Sequence, residues 1–122
     1  MERVARKQLG DTALAIVARE RLPSVLAVVH GRGFGPMARV FDPGRGALAG
    51  QLQRAGLPVP PDVDRDAADR VVLGITAPGH AARIGDTLLQ AGAAAVFVAC
   101  KGREGVPPAV IEAEGAAAAP GA

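Results

Sequence analysis

Two short apolar runs bracket an amphipathic one in the second half of the chain, and this arrangement limits the fold more than any other feature. Val71 to Ile75 and Ala94 to Ala99 are short and almost fully apolar, as buried strands are. Between them, Ala81, Ile84, Leu88 and Ala91 fall on one side of a helix running from about His80 to Ala91, which Gly92 ends. Residues 69–99 therefore read as a compact βαβ unit, and such crossovers are right-handed. Together with residues 24–61 the unit suggests a helix-covered sheet.

The first half is less regular. Asp11 is placed to cap a helix from Thr12 to Leu22 that Pro23 would stop, although Leu14, Ile16 and Ala18 alternate as in a strand. Residues 24–30, β-branched and bounded by proline and glycine, read as a buried strand. Residues 37–41 are a second candidate, a short strand or a helical turn. Asp42-Pro43 looks like a helix start, with the helix over roughly 46–55 and Gly56 as its stop. Residues 57–61 are held extended by proline, and 62–69 are acidic and polar.

The expected organisation is an N-terminal helical segment over 1–23, a core over 24–101 and a disordered Ala/Gly/Pro-rich tail over 102–122. Truncation after Gly105 is expected to be nearly neutral. The expected fold is a single-domain α/β (α+β) ferredoxin-like βαββαβ sandwich, with a small doubly wound parallel sheet as the alternative.

Composition narrows the function classes. With three Phe and neither Trp nor Tyr, the core must be built from Val, Leu, Ile and Ala. Single-strand binders in small sheets stack bases on exposed aromatics, so nucleic acid is disfavoured. The net charge of +2 does not imply it either. Basic side chains prevail in residues 1–54 and acidic ones in 55–122. Cys100 is the only cysteine, which excludes an internal disulfide and fits a cytoplasmic setting. The opening MERVARKQLG lacks the apolar run of a signal peptide, and the run from Thr87 to Cys100 is too short to span a bilayer.

The segment RVVLGITAPGHAARIGDTLLQAGAAAVFVA, residues 70–99, resembles the closing βαβ of small bacterial α/β domains of the heat-induced or general-stress type. The likeness rests on a strand, a helix, an "AGA" break and a final strand. It implies a stress-associated regulatory domain and carries over no catalytic residue.

Five features are candidate sites. The loop His30-Gly31-Arg32-Gly33-Phe34-Gly35-Pro36 has glycine at every second position. Gly31, Arg32, Gly33 and Gly35 could cradle a phosphate, with Arg39 and Arg45 adding charge. Pro36 occupies the last glycine position of the dinucleotide fingerprint, and no lysine lies between positions 8 and 100 to complete a P-loop. A turn is the plainer reading. Thr76, Gly79 and His80 form a strand-to-helix loop where open α/β sheets bind ligands, with Thr76 as the expected cap. Asp62, Asp64 and Asp66 suggest calcium, but Ala67 and Leu73 stand where that loop needs glycine and glutamate, so a solvated turn is expected. Lys101 beside Cys100 could lower the thiol pKa. Two histidines and one cysteine, widely separated, are weak evidence for zinc.

The expected function is a small non-enzymatic regulatory or protein-interaction domain that binds itself or another protein. The alternative is a phosphate- or nucleotide-type anion binder using the loop 31–35. No metal, cofactor, membrane or nucleic-acid partner is expected.

Overall fold

The computed structural model describes residues 10–65 and 67–115. Strand β1 (Thr12–Ala18) is followed by helix α1 (Leu22–Gly31), strand β2 (Ala38–Phe41) and helix α2 (Leu48–Arg54). Strand β3 (Arg70–Thr76), helix α3 (Ala81–Ala91), and strands β4 (Ala95–Cys100) and β5 (Ala109–Gly115) follow among the described residues. The strands form one five-stranded sheet in the order β2-β3-β1-β4-β5, with every pairing antiparallel. The molecule is thus a mixed α/β single small domain.

The parallel-sheet alternative is overturned. β1 lies between β3 and β4 and runs opposite to both, with Thr12 facing Thr76 on one side and Ala99 on the other. The βαβ unit of residues 69–99 is real in its elements, but its two strands are split by β1.

Two further expectations reverse. Residues 12–18 form a strand rather than a helix, and 24–30 lie in a helix rather than a strand. β1 is the central strand and is buried on both faces, which erases the clean alternation of a half-exposed strand. Pro23 does not stop a helix; it sits in the first turn of α1, where its missing N–H has no partner to lose. Leu22, Val25, Leu26 and Val29 then share one side of α1, with Val25 and Val29 fully buried. Each such burial contributes about 1.5–3 kcal/mol.

Two apolar layers flank the sheet. Ala13, Ala15 and Val17 of β1, with Val71, Leu73 and Ile75 of β3, pack beneath α1 and α3. Leu14, Ile16, Phe41, Val72 and Phe97 face the other way, against Leu48 and Leu52 of α2 and Leu57 and Val63 of the following segment. α3 lies so close to β4 that a Cβ on Gly85 would come within 2.8 Å of Val96 Cγ1.

The tail is also corrected. β5 pairs along β4 from Ala95–Gly115 to Cys100–Ala109, with an irregularity at Val98/Ala99. Main-chain bonding to an open strand edge needs little apolar content, which is why a segment so poor in large side chains is ordered. The parts of the expected terminal segments in residues 1–9 and 116–122 lie outside the described residues. No helix among the described residues is long and apolar enough to cross a membrane.

Candidate functional site

The glycine loop is a helix terminator. Gly31 is the last residue of α1 and Arg32 its C-cap. The amides of Arg32, Gly33 and Phe34 donate to the carbonyls of Val28, His30 and Val29 at 3.0, 3.1 and 2.9 Å. With Gly33 at φ +82°, the Gly33 and Phe34 bonds make a Schellman motif, and Phe34 packs on the cluster that holds Val29. These amides are committed to the helix, and the end they close carries negative partial charge, which repels an anion. A Cβ on Gly35 would meet only the imidazole of the exposed His30, which would have to swing aside.

The second loop lies at the same end of the sheet, since Ala38 of β2 pairs with Ile75. Thr76 does not cap α3. Its Oγ1 lies 3.2 Å from Thr12 Oγ1, and His80 occupies the N-cap with no side-chain bond to the helix. Gly79 turns the chain at φ +82°. Asp11 organises the neighbouring strand ends: its carboxylate accepts from Thr12 Oγ1 and from the Lys101 N–H, both at 2.9 Å. Cys100 is half-buried, and burial, followed by the negative charge of Asp11, pushes its thiol pKa up despite Arg103. The expected lowering by Lys101 is therefore reversed, and the neutral thiol is favoured.

Asp64 serves the fold from the acidic stretch. Its carboxylate accepts the Leu48 and Ala49 N–H groups at 2.6 and 3.1 Å and so caps α2. Among the described residues no group of three or more His, Cys, Asp or Glu side chains is placed to hold a metal ion.

The structure instead gathers arginines beside β2. Arg39 and Phe41 project to the α2 face, because their partners in β3 are Gly74 and Val72. Phe41 is buried over Gly74, where a Cβ would meet its ring at 3.2 Å. The Arg39 guanidinium lies 5.1 Å from the Phe41 ring centroid, in cation–π range. Asp42 then caps a short turn, Pro43–Arg45, by accepting the Gly44 N–H at 2.8 Å. That turn holds the expected helix start, but α2 itself begins only at Leu48. Gln51 of α2 donates to the Asp42 and Gly46 carbonyls at 2.7 and 2.9 Å, tying helix to turn. Arg54 ends α2, where a cation suits the helix dipole.

Arg39, Val40, Phe41, Arg45, Gln51 and Arg54 line an open cleft of about 230 Å³. Among the described residues, no ion pair engages its three arginines. The nearby Asp42 carboxylate is taken by Arg19, in a two-pronged pair at 2.9 and 3.1 Å. A larger hollow of about 490 Å³, lined by Ala18, Arg19, Glu20 and Asp69, mixes charges of both signs. Of the cleft arginines, Arg39 and Arg45 were legible as auxiliary charge for the glycine loop. Arg54 was not, since only the packing of α2 brings it there.

Comparison with protein-family models, with curated proteins and with solved structures returns no match.

Proposed function

We propose that this chain is a non-catalytic binding domain that recognises an anionic group, phosphate-like or carboxylate, in the cleft between β2 and α2. One observation carries the reading: Arg39, Arg45 and Arg54 line one cleft and none makes an ion pair among the described residues; Arg45 feels the charge of Asp42, but that carboxylate is bonded to Arg19. Guanidinium groups crowded together repel one another, and a bound anion relieves that repulsion while accepting forked hydrogen bonds. Gln51 spends its amide donors on backbone carbonyls and acts as scaffold. Calorimetric titration with inorganic phosphate and pyrophosphate at low salt tests the reading. Binding that weakens in Arg45→Ala and Arg54→Ala supports it, and no heat at millimolar ligand refutes it.

For the fold, we read the order β2-β3-β1-β4 as a ferredoxin-like βαββαβ sandwich to which α2 and β5 are added. The support is that β1-α1-β2 is split by β3 and β3-α3-β4 is split by β1, so the two units interlock. A stress-associated regulatory role rests on the resemblance of residues 70–99 alone. Self-association through the outer edge of β5 is a second reading, favoured by the exposure of Val106 and Val110 beside that edge. A monomer mass by light scattering at tens of micromolar would refute it.

A further inference from the structure

We infer that the partner presenting the anion is an extended acidic peptide, which adds as a sixth strand to the open edge of β2. The inference rests on the anion-binding reading and adds a partner to it.

Among the described residues, β2 pairs with β3 on one side and with no strand on the other. Its side chains divide by face. Ala38 and Val40 lie on the face of α1 and α3, opposite Ile75 and Leu73; Arg39 and Phe41 lie on the face of α2. Val40 and the adjoining Met37 are 39% and 40% exposed, two of the four large apolar side chains left in water among the described residues. A strand laid along β2 would cover both and would direct its alternate side chains toward Arg39, Arg45 and Arg54. Main-chain bonds supply affinity in such strand addition, and alternate side chains supply specificity.

The charge pattern selects the occupant. A second copy of β2 would place a second arginine cleft on the same face of the joined sheet, and like charges so placed are destabilising. An acidic strand meets the opposite condition. Arg39 thus blocks self-pairing, as charges on edge strands do, and selects for glutamate or aspartate. The matching segment alternates acidic and apolar residues.

The test uses the full chain, labelled for amide NMR, and a capped hexapeptide alternating glutamate and valine. The expected result is shifts centred on Ala38 to Phe41 and on the cleft arginines. A central proline in the peptide keeps the charge but removes a ladder N–H, and should weaken binding about tenfold or more. Arg39→Glu, an exposed substitution, should lose the glutamate peptide and gain the lysine–valine counterpart. Equal binding of the proline peptide would overturn strand addition while leaving anion recognition standing. Binding of phosphate without binding of the peptide would do the same, and binding of neither would overturn both.

Discussion

Asp64 accepts the backbone N–H of Leu48 at 2.6 Å from sixteen residues away, and so starts a helix that has no cap of its own. α2 is only seven residues long, too short to be stable alone. Its place depends on this carboxylate, on Gln51 and on the buried Leu48 and Leu52. Asp64→Ala should cost about 1–2 kcal/mol, the usual worth of an acidic cap. Thermal melts check this, with an expected drop of several degrees for a domain near 100 residues. Anion binding should weaken as well, because α2 carries Arg54.

The pair of Arg19 and Asp42 predicts a pH dependence. The Arg19 guanidinium, helped by the Gly44 N–H, lowers the Asp42 pKa from 3.8 to about 2. A folded pKa below the unfolded one adds stability at pH above the unfolded value and loses it as pH falls through the folded value. The pair should therefore contribute fully above about pH 5 and fade between about pH 4 and pH 2. Denaturant unfolding of wild type and Asp42→Asn should differ at neutral pH and converge only below about pH 2.

Gly33 separates the loop from the cleft. A Cβ at Gly33 meets nothing within 4 Å, so the glycine answers only to its φ of +82°. Gly33→Ala should destabilise by about 1 kcal/mol, and Gly33→Asn by less, since asparagine tolerates this region. Phosphate affinity should be unchanged in both. A loss of phosphate binding with normal stability would return the site to the loop.

Removal of β5 tests the corrected tail. A chain ending at Pro108 leaves β4 as an open edge beneath Val98 and Phe97 and should lose stability by more than a few degrees in thermal midpoint. It should also aggregate more readily, as unprotected apolar edges do. An unchanged melt would show that β5 contributes no stability.

What was legible followed local pattern. The stripe Ala81, Ile84 and Leu88, the flanking runs of β3 and β4, and the stops at Gly56 and Gly92 needed only near neighbours. The exchange of strand and helix in residues 12–30 turned on one proline: Pro23 reads alike as the end of one helix and the first turn of the next. β5 was hidden because ladder bonds, not side chains, hold it to β4. The site was the least legible. Arg39, Arg45 and Arg54 are spread over sixteen positions and meet only through the docking of α2, which Asp64 fixes from still further along the chain.

Anion binding in the cleft between β2 and α2 is to be followed by amide and guanidinium NMR during a pyrophosphate titration at low salt. Saturable shifts are expected at Arg39, Arg45 and Arg54, with Gly31 to Gly35 and Thr76 to His80 unmoved, and those shifts should be lost in Arg54→Ala. Shifts centred on Gly31 to Gly35 or on Thr76 to His80, with the three cleft arginines silent, would contradict it.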